Sequence, residues 1–309
     1  MKFLATYILR GQKEAVIATA VTALLSLIFF PLSYISAAAV GLVTLHIGAK
    51  QGLVVATVSA AVMAVLGQLL VGSYLPAVAY LLLLWLPLWW IADRLRRDKV
   101  LSLSLLQSAA FGVLIIAGFY LALEDPSAWW RGVLDESFRI IFQDVSEINR
   151  TELSQMIEQI ANLMTGMMAV AFLIHLLGSL FLARWWQATL HNPGGFGGEF
   201  RDIRLGRVVA GVTVGLLIVA FTMGGAVLTD LLLMMGVLFM LQGIALVHAL
   251  VHNRKAHQGW LIGQYVLLTV AMPQTVMTLA LAGLLDNWFN FRGFWPLRNA
   301  EKDPEEGSD

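Results

Sequence analysis

"AVIATAVTALLSLIFFPLSYISAAAVGLVTLHIGA", residues 15–49, lies between Glu14 and Lys50 with no charged side chain and with Pro31 near its middle. A helix rises about 1.5 Å per residue and a bilayer's hydrocarbon core is about 30 Å thick, so roughly 20 residues cross it. The stretch is far too long for one pass, and two short spans fit better. Pro31 has no N–H to donate and pushes Phe30 away from helical geometry, while Ser33 and Tyr34 prefer an interface. The stretch predicts a hairpin, Ala15 to Phe30 going across and Ile35 to Gly48 returning, with Pro-Leu-Ser-Tyr at the turn.

The rest of the chain has the same character. It is 59% hydrophobic and 13% charged, with mean hydropathy +0.77, whereas soluble domains carry about 25% charged residues. The expected fold class is an all-α, polytopic transmembrane bundle. Cysteine is absent, which removes disulfides, thiol nucleophiles and thiolate metal sites. The N-terminus "MKFLATYILRGQKEA" has no small-residue cleavage site, so the first span is expected to be retained.

Beyond the hairpin, candidate spans are Gly52 to Val71, Leu75 to Ile91, Leu101 to Leu123, Ile160 to Leu182, Val208 to Gly225, Leu231 to Val251 and Leu261 to Leu285, about nine in all (eight to ten). Pro273 interrupts the last, which reads as a kinked span or two half-helices. A cytoplasmic N-terminus places fourteen Lys and Arg inside (2, 10, 13, 50, 94, 96, 97, 99, 184, 201, 204, 207, 254 and 255). The outer loops then hold three: Arg131, Arg139 and Arg150. Arg292, Arg298 and Lys302 of the tail fall outside against that rule. The expected location is the bacterial inner membrane.

The outer segment 124–158 holds eight acids and three arginines. Leu134, Phe138, Ile141, Phe142, Val145 and Ile148 recur at helical spacing, with Asp135, Glu136, Asp144 and Glu147 largely between them, as in an amphipathic helix lying on the membrane or acting as a lid. Asn149 and Glu152 form a capping box for a second helix that continues into the sixth span.

No span interior is expected to hold an Asp, Glu, Lys or Arg, because Glu14, Asp93, Glu124, Asp230 and Asp286 all fall at span ends. Such residues mark ion-coupled transporters, so a self-powered carboxylate pump is disfavoured. There is no G-x-x-x-x-G-K-[ST] loop for nucleotide hydrolysis. His248 and His252 stand one turn apart with His257 beyond, but a metal site needs more ligands, and they read as polar residues ending a span. His46 and His175 read as hydrogen-bonding between helices. No catalytic residue, metal or cofactor is expected, and no nucleic-acid partner.

Ala15, Thr19 and Ala23 stack on the first span and Ala56, Ala60 and Ala64 on the third; such stripes pack helices internally or dock another membrane protein. Tyr34, Tyr74 and Tyr120 fall at outer span ends near Trp129 and Trp130, and Trp89, Trp90, Trp185, Trp186 and Trp260 mark the inner side. This describes aromatic belts, or else an outer solute pocket of Ser33, Tyr34, Tyr74, Tyr120, Trp129 and Trp130 under the lid. In "RWWQATLHNPGGFGGEFRDIRLGR", residues 184–207, Asn-Pro favours an extended entry and Gly194, Gly195, Gly197 and Gly198 permit tight turning. Phe196, Phe200 and Ile203 would then dip into the interface, and Arg201, Arg204 and Arg207 face headgroups or a partner.

"NPGGF…EFRDIRL", "FFPLSYISAAAVGLVTLHIGAKQG" and the terminal "GLLDNWFNFR" resemble the YybS-like family of bacterial multi-pass membrane proteins, a family of unknown function. That family is distantly similar to the substrate-binding subunits of energy-coupling-factor vitamin transporters. There six helices bind a vitamin or metal from outside, and alanines four apart on the first helix dock the coupling subunit. Pro31, the Gly48 to Gly52 inner turn and a six-span unit ending near Leu182 agree with that architecture. Ala15-Thr19-Ala23 only approximates the docking spacing, and three extra spans and the Gly-rich loop depart from it. The implied organisation is a six-span unit over 1–185, a Gly-rich basic elbow over 186–207, two to three further spans over 208–290 and a polar tail over 291–309.

Two functions follow. One is a small-solute binding or transport subunit relying on partners for energy, because coupling carboxylates and a nucleotide motif are missing. The other is a membrane scaffold or biogenesis factor that uses the stripes and the basic elbow to recruit proteins. An enzyme is not expected.

Overall fold

The computed structural model describes residues 2–141 and 150–293 and is all-helical, without strands among those residues. Its helices are α1 (Lys2–Ile8), α2 (Gln12–Leu25), α3 (Leu32–His46), α4 (Ala49–Val71), α5 (Leu75–Ala79), α6 (Leu86–Asp98), α7 (Leu101–Ala122), α8 (Pro126–Ile141), α9 (Arg150–His191), α10 (Gly195–Arg201), α11 (Arg207–Met223), α12 (Ala226–Asn253), α13 (Gly259–Val270) and α14 (Met272–Phe289). Among the described residues five segments are long and apolar enough to cross a membrane: Ala49–Leu70, Leu75–Asp98, Leu101–Ala122, Glu152–His191 and Ala226–Asn253. These are compatible with an integral membrane protein.

The opening hairpin forms, but its turn lies earlier than expected. α2 ends at Leu25, and residues 26–31 turn before α3 starts. The Ser26 hydroxyl, donating to the Ala23 carbonyl at 2.5 Å, offers the chain an exit there. Pro31, with φ −56°, precedes the first residue of α3, where a missing N–H costs nothing. Ser33 and Tyr34 therefore belong to the first turn of α3 rather than to the loop. At 14 and 15 residues, α2 and α3 reach only about 21–23 Å.

α3 is nevertheless the core of its unit. Its residues 36–45 are buried without interruption, so it is covered on every face, by α2, α4, α6 and α9. Small residues make this possible. Cβ atoms added at Gly41 and Gly52 would strike Ala183 and Thr44, so α9 and α4 lie nearly in backbone contact with α3. Polar groups on these helices pair with one another: Ser36 donates to the Thr19 carbonyl at 2.8 Å and accepts from the Trp85 indole at 3.2 Å.

Between α5 and α6 the chain forms a π-helical turn, Tyr80–Trp85. Pro87, two residues after its end, has no N–H, so the regular i→i−4 ladder is interrupted at this point. The extra residue per turn brings Trp85 round to Ser36 and Tyr80 to Ser26.

α9 runs unbroken for 42 residues, about 63 Å, through the outer helix and the sixth span expected from sequence. Phe142, Asp144, Val145, Glu147, Ile148 and Asn149 lie outside the described residues. The Pro273 interruption is a break at Ala271 that separates α13 from α14. The Gly-rich elbow is partly helical. Gly195, Gly197 and Gly198 lie in α10, and the positive φ values of the elbow are at Gly194, +88°, and Gly206, +91°.

The chain divides into two compact units, Met1–Glu199 with Leu216–Met234, and Phe200–Gly215 with Met235–Asp309. In the second unit α12 and α14 cross at Gly243 and Gly283. A Cβ at Gly243 would overlap the Leu279 carbonyl, and one at Gly283 the Phe239 carbonyl.

Candidate functional site

The aromatic residues read as an outer pocket fall into separate groups, most with partners inside the protein. Ser33 is fully buried and donates to the Phe30 carbonyl at 2.6 Å. The Tyr34 ring lies 4.2 Å from the His175 ring and fills the space left by Gly178. His175 Nε2 has no hydrogen-bond partner, and the His175 ring lies tilted by 36° against that of Tyr34.

About 15 Å along α9, ten residues before His175, Thr165 accepts from the Trp130 indole at 3.1 Å. Trp130 stacks on Phe119 and packs edge-on against Trp129. Beside this cluster the Tyr120 hydroxyl donates to Asp230 at 2.9 Å. Tyr74 is 57% exposed. The structure thus brings Tyr120, Trp129 and Trp130 to one place and Ser33 with Tyr34 to another.

Asp230 corrects the reading of the carboxylates. It lies only a turn into α12, as expected, but it is fully buried. Oδ2 accepts from Tyr120 and Oδ1 from the Gly166 N–H at 2.9 Å. Gly166 is a requirement of that fit, since a Cβ there would lie 2.6 Å from Oδ1.

Both small-residue stripes are used internally. Ala15, Thr19 and Ala23 are buried, as are Ala56 and Ala60, with Ala64 half-buried. Ser59, between the latter two, reaches the Val16 carbonyl at 3.4 Å.

The basic elbow also turns inward. Phe196 packs near Phe181, and Phe200 against His248. Arg204 donates to Asn290 Oδ1 at 2.6 Å and lies 3.8 Å from Asp286, and Arg207 donates to the Asn287 carbonyl at 3.3 Å. Arg292, almost fully buried, donates to the carbonyls of Arg201 and Ile203. Its Nε lies 3.1 Å from Asp286 Oδ2, an ion pair whose angle falls short of a hydrogen bond. Desolvation lowers the Arg292 pKa from its ordinary value, and Asp286 opposes that shift. Two motifs distant in sequence, "EFRDIRLGR" and "GLLDNWFNFR", thus form one polar cluster with Gln242, which accepts from the Leu205 N–H at 2.9 Å.

His248 of α12 has local partners. His248 Nδ1 lies 2.9 Å from the Ile244 carbonyl and Nε2 lies 3.4 Å from the Tyr265 hydroxyl. Among the described residues no three His, Asp or Glu side chains are placed to hold a metal ion.

A cleft of about 530 Å³ opens among α12, α13 and α14, and it went unread in the sequence. Val247, Trp260, Leu267 and Leu279 give it apolar walls, with Thr275 and Thr278 on one side. Gln264 also lines it. That side chain is 7% exposed, and neither its Oε1 nor its Nε2 has a partner. An isolated Gln in an apolar helix was the only sequence signal, and the break at Ala271 is what folds α14 back to complete the walls. No family model matches the chain, and no curated protein or solved structure matches it.

Proposed function

We propose that the protein is an integral membrane protein of the bacterial inner membrane, with a cytoplasmic N-terminus, that binds a small amphipathic solute and depends on partners for energy. The observation that carries this reading is Gln264. Leaving a buried amide unpaired costs about 1–3 kcal/mol per group, and a ligand offering one acceptor and one donor in the cleft would recover it. A cleft of this size with apolar walls and one convergent polar group is what small ligands occupy. The chain has no phosphate loop, which supports dependence on a partner for energy. The resemblance to YybS-like and vitamin-binding membrane subunits points the same way, though the cleft lies outside the six-span part it concerns.

A scaffold or biogenesis factor is the alternative. The stripes meant to recruit partners are buried in the protein's own packing, so that reading would need another surface.

Thermal unfolding of the detergent-purified protein across a panel of metabolites, vitamins and isoprenoid alcohols tests the proposal. A ligand bound only by the folded state raises the midpoint. The expected outcome is stabilisation by a member of the panel that Gln264→Leu abolishes. Stabilisation that is equal in Gln264→Leu, or absent throughout, would reject the cleft as the site.

A further inference from the structure

In the first unit the C-terminal ends of α3, α6 and α9 meet, and a polar cavity of about 290 Å³ lies among them. Arg96, Lys99, Arg184, Gln187, His191 and Glu199 line it. Glu199 is already committed: it takes both Arg184 Nε, at 2.9 Å, and Nη2, while Arg184 Nη1 donates to Gln187 at 3.1 Å. Gln187 in turn donates to the Leu45 carbonyl at 3.1 Å, which fixes the group to α3.

Arg96 and Lys99 have no ion pair among the described residues. On α6, Asp93 pairs with Arg97 at 2.5 Å, and the exposed Asp98 beside Lys99 pairs with neither cation. The backbone places both residues at the cavity. Arg96 lies against Gly48, where a Cβ would come within 2.5 Å of Nη1 and where φ is +142°. The Lys99 backbone makes a left-handed turn, φ 55°, its N–H closing on the Leu95 carbonyl at 2.9 Å. His191 lines the remaining edge, its ring tilted against that of His46 with the centroids 4.3 Å apart.

Positive ends of side chains at helix C-termini are partly compensated by the helix dipoles. That effect alone does not require two unpaired cations at one cavity whose only carboxylate is taken. We propose that this cavity binds a phosphate-type anion, with Arg96 and Lys99 as its principal ligands. Guanidinium presents two parallel N–H groups to phosphate oxygens and ammonium supplies a compact charge. The anion comes either from an anionic lipid headgroup, which basic pockets at the membrane surface collect, or from a free phosphate. The site is separate from the Gln264 cleft and stands without it.

The test compares wild type, R96Q/K99Q and a control, R94Q, whose guanidinium sits 5.5 Å over the Trp90 ring. Thermal unfolding in neutral detergent is measured with inorganic phosphate against chloride at equal ionic strength. It is then repeated in nanodiscs of phosphatidylcholine with and without phosphatidylglycerol. Arg96 and Lys99 are exposed, so the double variant is expected to fold, and each single variant is measured beside it. The expected result is stabilisation of wild type and R94Q, with an apparent affinity at least tenfold weaker in R96Q/K99Q. A response to inorganic phosphate identifies a free anion, and a response only to phosphatidylglycerol identifies a headgroup. Equal responses in wild type and R96Q/K99Q, or no specific response to either additive, would overturn the proposal.

Discussion

The Tyr120 hydroxyl on α7 and the Asp230 carboxyl on α12 are 110 positions apart in sequence and 2.9 Å apart in the structure. Asp230 fits there because α9 presents Gly166 and α7 presents Gly112, whose added Cβ would meet Met234 one turn further along α12. A hydrogen bond to a buried acidic group contributes about 1.5–3 kcal/mol. Tyr120→Phe should destabilise the protein by about that much in thermal or denaturant unfolding. Gly166→Ala, which removes the space as well as crowding the carboxyl, should cost at least as much. Wild-type stability in both would show that the pair contributes nothing.

The crossing of α12 and α14 gives a prediction with an internal control. Gly243→Ala and Gly283→Ala each put a methyl group into backbone of the other helix, and overpacking of this kind costs about 1–3 kcal/mol. Gly236, on the same α12, has nothing within 4 Å of an added Cβ. Gly236→Ala should be neutral or stabilise by up to about 1 kcal/mol, because alanine is the better helix former. The expected ordering is therefore Gly236→Ala above wild type or equal to it, and both crossing variants below.

What the sequence disclosed and what it hid divide along physical lines. Hydropathy runs made the helices legible, and Pro273 marked the α13–α14 break, because each is a local property. The hairpin turn was misplaced because Pro31 drew attention from Ser26, whose hydroxyl ends α2 within its own last turn. The π-turn before Pro87 was missed because proline in an apolar run also suits a plain span. Asp230 read as a span-end acid, since its partners Gly166 and Tyr120 are 64 and 110 positions away. Arg204 and Arg207 read as headgroup ligands for the same reason: Asn290, Asn287 and Asp286 become neighbours only through folding. The Gln264 cleft has walls from three helices, and nothing local announces it.

Arg292 and Asp286 should behave as a coupled pair. Removing one partner of a buried pair leaves an uncompensated charge and costs about 3–5 kcal/mol, whereas replacing both by apolar groups costs much less. Arg292→Met also frees the carbonyls of Arg201 and Ile203, so some loss persists in Asp286→Leu/Arg292→Met. A double-mutant cycle in thermal unfolding should give a double variant less destabilised than the sum of the singles by at least about 1 kcal/mol. Additive losses would mean that the 3.1 Å contact carries no coupling.

Membrane orientation is directly accessible because the chain has no cysteine, so introduced thiols report without background. Ala128 is exposed near the start of α8, and Asn192 is exposed just after α9. The Lys and Arg distribution assigns α8 to the outside and the α9–α10 junction to the cytoplasm. With Ala128→Cys, a membrane-impermeant maleimide should label intact spheroplasts. With Asn192→Cys, labelling should occur only after the membrane is permeabilised. α9 is about 63 Å long, twice the hydrocarbon thickness, so its two ends can lie on opposite sides with a turn or more projecting at each. The reverse labelling pattern would invert the topology and move the Arg96–Lys99 cavity to the outer face. Labelling of both sites without permeabilisation would mean that α9 does not cross the membrane.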